Sequence, residues 1–242
     1  MSSTVKPTRR EERRAQTIRE IKDLAMEQVS QGGPDAVSLS GIVREMSMSP
    51  AAVYRYFANR DALLADLVVD AYNELADSLS ALERGAGTAH EHLDAVLRGT
   101  RAWALKHPNA YRLIFQTSIG SGQEFAADRT VAASSRSMSV LVNALAAATA
   151  DNDPALVSES PFPGSEISKA ISAWAQRSGL TQFSPEILIL GLLTWTRLHG
   201  IISLELGGHL GATGIGAPVL FEAEVQKIQA ETAKLPPAIR NT

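Results

Sequence analysis

At 242 residues the chain is long enough for one large domain, or for a small domain fused to a larger one. It has no cysteine, which excludes a disulfide framework, a thiolate metal site and a thiolate nucleophile, and is in keeping with a reducing cytoplasm. Its net charge of −3 is uneven: residues 1–60 carry ten Lys/Arg against seven Asp/Glu, and residues 61–242 carry thirteen against nineteen. A basic head on an acidic body suits a polyanion partner for the head, or a solvated charged helix face.

Aromatic residues are only 5% of the chain while alanine and leucine are plentiful, a composition that favours helix over strand. Residues 1–8 are expected to be disordered. From Arg9 to Gln31, apolar Ile18, Ile21, Ala25 and Val29 recur at helical spacing, and Gly32-Gly33-Pro34 ends the segment. Ser38 is an N-cap for a short helix over Leu39–Met46. After a tight connection at Ser47-Met48, Ser49 caps a second short helix with Pro50 at its first position, ending near Phe57. Asn59 caps a long helix from Arg60 to about Leu82. Helices are then expected over His90–Lys106, Asn109–Thr117 and Phe125–Ala150. Residues 151–164 hold three prolines and read as a loop. Ile167, Ala170, Ile171, Trp174 and Ala175 mark a helix stopped by Gly179. Pro185–Leu206 is apolar nearly all round, the glycine-rich stretch 207–217 is a loop, and Pro218–Lys234 is the last helix. No strand pattern and no internal repeat appear, so the fold class is all-α, with about nine to ten helices. No apolar segment follows a basic start, so no signal peptide is expected. The most apolar run, Ile187–Trp195, is shorter than the roughly 20 residues that span a bilayer.

Two short helices after a longer basic one have the dimensions of a helix-turn-helix. On the second, Val53 and Phe57 stand four apart and face a core together, leaving Ala51, Ala52, Tyr54, Arg55 and Tyr56 outside. Each outward type suits DNA. Alanine permits close approach and can touch a thymine methyl, arginine can pair two hydrogen bonds with a guanine edge, and tyrosine hydroxyls can donate to phosphates. Arg60 opposes the dipole at its own helix N-terminus, which is accounted for by a phosphate bound there or by neutralisation from Asp61.

The run VSLSGIVREMSMSPAAVYRYFANRDALL, Val37 to Leu64, resembles the DNA-binding region of TetR-family transcriptional regulators. The shared elements are the apolar helix Leu39–Met46, Ser49 opening the recognition helix, Tyr54-Arg55-Tyr56-Phe57, and Arg60 where family members usually carry lysine. Two departures stand out. Ser47-Met48 replaces the usual Gly-Val turn, placing Ser47 in a less comfortable backbone conformation, and Tyr56 fills a position that is often histidine. The resemblance implies that Tyr54, Tyr56 and Arg60 contact phosphates, that Ala51, Ala52 and Arg55 face base edges or the groove wall, and that Ser38, Ser40, Arg44 and Ser49 lie near the backbone. Arg9, Arg10, Arg13 and Arg14 either add phosphate contacts or remain disordered without any. It divides the chain into a basic arm with a DNA-binding domain, residues 1–60, and an effector-binding and dimerisation domain, residues 61–242, linked by the helix from about 60 to 82.

Past residue 82 the helical organisation continues to match, and Trp195-Thr-Arg-Leu-His-Gly is similar to a subgroup with a Trp and a His-Gly pair in its last domain. A helix apolar on all sides must be buried on all sides, by its own domain or by a partner chain. Pairing Pro185–Leu206 and Pro218–Lys234 with their symmetry mates would form a four-helix homodimer interface through Trp195, Leu198, His199, Ile202, Leu206, Phe221, Val225 and Ile228. Trp103, Tyr111, Phe115, Phe125, Met138 and Trp174 either line an effector cavity or form plain core. The expected partners are double-stranded DNA with a near-palindromic operator, a second copy of the chain, and a small lipophilic effector. No cofactor, metal or membrane is expected, and the location implied is the bacterial cytoplasm, on DNA.

Two other classes compete. For an enzyme, there is no Gly-x-Ser-x-Gly, no phosphate-cradling loop after a strand and no His-Glu-x-x-His. His90 and His92 point to opposite sides of a helix and do not share a metal. A helical adaptor with its basic head on an acidic partner fits the charge but not the tyrosine–arginine pattern.

Overall fold

A computed structural model describes residues 8–83, 85, 87–115, 127–150, 152 and 165–237. Among them are ten α-helices and no strand, in agreement with the all-α expectation. They are α1 (Arg9–Gly32), α2 (Leu39–Glu45), α3 (Pro50–Tyr54), α4 (Arg60–Glu83), α5 (Ala89–Lys106), α6 (Pro108–Phe115), α7 (Ala127–Ala148), α8 (Ser165–Ser178), α9 (Pro185–Leu206) and α10 (Ala217–Thr232). The chain divides into two compact units, Met1–Ala71 with Asn109–Thr130, and Tyr72–Pro108 with Val131–Thr242.

In the first unit α1 opens with a reciprocal cap: the Glu11 amide donates to the Thr8 hydroxyl and the Glu11 carboxylate accepts from the Thr8 amide. Its buried stripe, Ile21, Ala25 and Val29, repeats every four residues. Leu39 and Ile42 of α2, Val53 of α3, Phe57, and Leu63, Leu64, Leu67 and Val68 of α4 are also buried in this unit. Gly41 lets α2 approach α1 closely, because a β-carbon there would stand 3.0 Å from Gln28 Nε2. The Gln28 side chain in turn accepts from the Ser38 amide at 2.8 Å. Lys22 on α1 reaches Asp66 at 2.8 Å and Asp70 at 2.6 Å, and Arg129 adds a second cation to Asp66 at 2.7 Å. Burial opposes charge on Asp66, but the hydrogen bonds from Lys22 and Arg129 outweigh it and hold the carboxyl below its ordinary range.

The turn between α2 and α3 has the full hydrogen-bond pattern of a left-handed helix stop. Ser47 N–H donates to the Arg44 carbonyl and Met48 N–H to the Val43 carbonyl, both at 3.2 Å. Ser47 has φ 51°, the one positive φ among described non-glycine residues. The discomfort expected from its replacement of glycine is therefore present. Helix α3 is shorter than expected, ending at Tyr54 rather than near Phe57. The Asn59 side chain accepts from the Ala62 amide at 2.8 Å to begin α4, and the chain must turn between these two helices.

In the second unit α9 packs against α10, α8 and α5. Gly191 sits close to α7, where a β-carbon would lie 3.0 Å from Val142 Cγ2. Ion pairs bind α9 to its neighbours: Arg101 of α5 to Glu205 at 2.8 Å, and Arg197 to Glu231 of α10 at 2.7 Å. Asn152 Nδ2 donates to the Thr232 and Leu235 carbonyls at 3.0 and 2.8 Å, satisfying groups at the end of α10. Two segments, Arg129–Ala148 and Pro185–Leu206, are long and apolar enough to cross a bilayer by length and composition alone. The short run Ile187–Trp195 is thus part of a 22-residue helix, and nine of that helix's residues are buried in the unit's core.

The interior of this unit absorbs many residues expected at a dimer interface. Leu198, His199, Ile202, Phe221, Val225 and Ile228 are all buried within the single chain, and Trp195 and Leu206 are half-buried. Pro185–Leu206 is apolar nearly all round for two reasons at once. One side packs its own core, and the other leaves an exposed stripe of Leu193, Thr196, Gly200 and Leu204.

Candidate nucleic-acid interface and ligand cavity

Val53 is fully buried and Phe57 nearly so, so the two anchors of α3 face the core as their spacing requires. That turns the remaining side chains outward. Ala51, Arg55 and Ser49 are exposed, Ala52 and Tyr56 are half-buried, and Tyr54 is 50% exposed. Ser49 occupies the N-cap position, but its hydroxyl makes no capping hydrogen bond. On α2, Ser38 Oγ accepts from the Gly41 amide at 3.3 Å and shares a 2.9 Å hydrogen bond with Ser40 Oγ, while Arg44 is exposed in the last turn.

The N-terminal arginines belong to this surface. They lie on α1 from its first residue, and Arg9, Arg10, Arg13, Arg14 and Thr17 join Arg55 and Tyr56 around a cleft of about 560 Å³. Five guanidinium groups and no carboxylate line it. The Arg14 guanidinium stands over the Tyr56 ring, 5.1 Å from its centroid, within range of a cation–π contact. Periodicity in the sequence placed the helix start at Arg9, but only the packing of α1 beside α3 shows that the arginines and Tyr56 share one concavity.

Arg60 behaves differently from the phosphate ligand expected of it. Its Nε donates to the Val37 carbonyl at 3.1 Å, and its Nη2 to the Pro34 carbonyl at 2.7 Å and to Asp35 at 3.1 Å. Asp61 lies 3.5 Å from Nη1. The guanidinium is turned onto the connection between α1 and α2, where its five-donor fork reaches two carbonyls at once, that of Pro34 also accepting from the Val37 amide at 3.2 Å.

In the second unit a cavity of about 310 Å³ opens between α4, α7, α8 and α9. Of the residues expected around an effector, Met138 and Trp174 line it, and so does Trp195. Trp103 is instead buried beside His107, with ring centroids 5.7 Å apart. Tyr111 is fully buried in the first unit, 4.9 Å from the Phe115 ring. Phe125 lies outside the described residues. Tyr72, which sequence alone did not single out, forms part of the wall, and burial pushes its hydroxyl up to about 12, so it is neutral at physiological pH. No group of three or more metal-ligating side chains occurs among the described residues.

Comparison with known proteins agrees with this arrangement. The family profile described as "Bacterial regulatory proteins, tetR family" matches residues 21–67, and "Tetracyclin repressor-like, C-terminal domain" matches residues 93–228. The HTH-type transcriptional regulator Rv1816 of Mycobacterium tuberculosis is 30% identical over 238 residues, which is 97% of this chain and 100% of that protein. The crystal structure of the regulatory protein SCO4313 superposes with a TM-score of 0.72 at 36% identity, over 92% of this chain and 98% of that one. A TetR-like transcriptional regulator from Rhodococcus sp. RHA1 shares the fold, with a TM-score of 0.56 at 13% identity, over 95% of this chain and 100% of that one. With a helix-turn-helix that shows its tyrosines and arginines to solvent, and with both halves matched, the chain belongs to the TetR family of bacterial DNA-binding transcriptional regulators, which are not enzymes.

Proposed function

We propose that this chain is a homodimeric repressor that reads a near-palindromic operator and releases it when a small, largely apolar effector enters the cavity of the second unit. The observation that carries the DNA half is the arginine-lined cleft beside α3. A surface with five guanidinium groups and no carboxylate is an electrostatic match for a phosphate backbone. Tyr54 and Tyr56 donate to phosphates, Ala51, Ala52 and Arg55 face the major groove, and Ser38, Ser40, Arg44 and Ser49 flank the backbone. Arg60 holds the α1–α2 connection against the start of α4 and acts on DNA through that placement.

Dimerisation is a property of the family, and the exposed stripe of α9 suits it: Leu193 and Leu204 are 39% and 43% exposed, with Thr196 and Gly200 between them. Pro218, Val219, Ala223 and Ala230 are the exposed small or apolar residues of α10. The interface expected from sequence thus keeps its two helices but uses their outer faces. Two recognition helices about 34–36 Å apart would meet successive turns of the major groove.

Repression with release by ligand is supported by the match of residues 93–228 to a tetracycline-repressor-like domain and by the cavity. Helix α4 contributes Leu63 and Leu67 to the core of the first unit and Tyr72 to the cavity wall. An effector that displaces Tyr72 therefore acts on the helix that begins beside the DNA-binding elements, and it favours release to the extent that it binds that displaced state better. Such a protein works on DNA in the bacterial cytoplasm.

The test is fluorescence anisotropy with DNA from immediately upstream of this chain's own gene, against a shuffled fragment of equal composition, at two salt concentrations. Tight binding to the native fragment alone, retained at the higher salt, supports a specific autoregulator. Equal binding to both that vanishes with salt leaves only a basic head on a polyanion, as the adaptor reading requires.

A further inference from the structure

We infer that the cavity between α4, α7, α8 and α9 takes a small anionic amphiphile, its head at Arg177 and Ser178 and its apolar body along Trp174, Met138 and Trp195. This deepens the effector reading above and rests on it.

The chemistry of the wall is one-sided. Arg177 is the single formally charged side chain among the described residues that line the cavity, and no carboxylate lines it. The other arginines of this unit among the described residues are already paired: Arg98 with Asp94 and Glu222, Arg101 with Glu205, Arg136 with Asp77, and Arg197 with Glu231. Arg177 has no such acidic partner within 4.0 Å among the described residues, and it is exposed at the cavity rim. A guanidinium can grip a carboxylate or phosphate through two parallel hydrogen bonds, which suits it to an acidic head.

Ser134 donates to the Val131 carbonyl at 3.0 Å and Ser137 to the Ser134 carbonyl at 2.8 Å, so both protons are held by their own helix. Ser178, which follows Arg177 directly, and Ser135 on α7 are the other two serines of the wall. Trp174 stands one turn before Arg177 and Ser178, at the i−3 and i−4 spacing that places side chains on one helix face. A head at Arg177 therefore leaves its body on the Trp174 indole. Beyond it, Ser137, Met138 and Trp195 are shared with a second, small void of about 20 Å³ lined further by Leu75, Leu79, Leu141 and Leu198, with Thr100 and His199 as its other polar residues. Methionine is unbranched and readily changes shape, so its movement extends the apolar end into that void. The negative pole at the end of α8 opposes an anion, but it is a fractional charge against the full charge of Arg177 in direct contact.

The volume of about 310 Å³ lies at the small end of ligand cavities, about 300–1,000 Å³, and so favours a molecule of the size of decanoate. The experiment is titration of the full chain with decanoate and with decan-1-ol, followed by quenching of tryptophan fluorescence, since two of the three tryptophans line the cavity. Arg177→Gln is titrated beside the parent, with Trp174→Phe to show that the signal comes from the cavity. Decanoate is expected to bind about tenfold more tightly than decan-1-ol, and Arg177→Gln to remove that difference while leaving decan-1-ol binding unchanged. Equal affinity for both in the parent, or a carboxylate preference that survives in Arg177→Gln, overturns the anionic assignment and leaves a lipophilic cavity. If neither probe quenches, the effector reading of the cavity falls with it.

Discussion

Ser47 and Arg60 show how single positions carry the geometry of the DNA-reading unit. Ser47 closes α2 with φ 51°, where a residue with a β-carbon is strained by about 1–2 kcal/mol and glycine is not. Part of that gain is lost to the greater freedom of glycine in the unfolded chain, so Ser47→Gly is expected to stabilise the first unit by about 1 kcal/mol. Denaturant melts of the two proteins check this, and unchanged or lower stability would show that the serine is not strained. Arg60 and Arg55 are separated by a salt titration. Arg55→Ala removes a group that lines the arginine cleft, and is expected to flatten the slope of log affinity against log salt by about one unit and to change sequence preference. Arg60→Ala removes hydrogen bonds to Pro34 and Val37 carbonyls, and is expected to destabilise the unit by about 1.5–3 kcal/mol with the salt slope kept. A flattened slope in Arg60→Ala would return Arg60 to the phosphate contacts. Sequence located Arg60 and its oddity at a helix start. It could not show which acceptor answers the charge, because three lie more than twenty residues upstream.

At the scale of the element, α9 is the instructive case. Its bounds, Pro185–Leu206, follow from the Ser184 cap, Pro185 at the first position and the glycine after Leu206, and structure and sequence agree on them. Its faces do not follow in the same way. With apolar residues nearly all round, the pattern has no weak side to mark the outside, so the choice among Leu193, Leu198, Ile202 and Leu204 waits on where α8 and α10 lie. Gly200 tests the proposed use of the outer face. A β-carbon there meets open space within the chain, so a larger residue does not disturb the fold, and removal of a helix-interior glycine favours the helix by up to about 1 kcal/mol. Gly200→Leu is expected to keep its helicity, sediment as a monomer and lose operator affinity. A variant that stays dimeric would place the interface elsewhere. Helix α3 gives the complementary lesson: its existence and its buried pair Val53 and Phe57 were legible, but its end was not. Where a five-residue helix stops depends on the start of its neighbour.

For the whole molecule, acid stability distinguishes interior from surface. His199 is buried, and burial lowers its pKa to about 3 from the ordinary 6.5. Its folded state is therefore neutral where an unfolded chain takes up a proton. The stabilisation is fully present above pH 6.5 and is lost as pH falls from there toward 3, by up to about 1.4 kcal/mol per pH unit. Between pH 6.5 and 5 carboxylates such as Glu222 and Glu231, both held below their ordinary value of 4.5, are charged whether folded or not, so they add little slope in that window. Melting of the parent and of His199→Gln across this window is expected to show a pH slope for the parent and a flatter one for the variant. Equal slopes would assign the acid sensitivity to another group.

What sequence by itself determined is what local chemistry dictates. Helix class follows from composition and period, helix starts from Ser38 and Asn59, and the outward set of α3 from the four-residue spacing of two apolar anchors. The motif Val37–Leu64 identified the family for the same reason, since a helix-turn-helix is encoded in one contiguous run. Tertiary structure decided everything that joins distant segments. It brought four arginines of α1 and Arg55 at the end of α3 around one cleft, turned Arg60 onto the α1–α2 connection, buried most of the expected interface residues inside one chain, and assembled the cavity from four helices. A cavity or a charged cleft is a property of the space between elements, and sequence spacing within any one of them is silent about it.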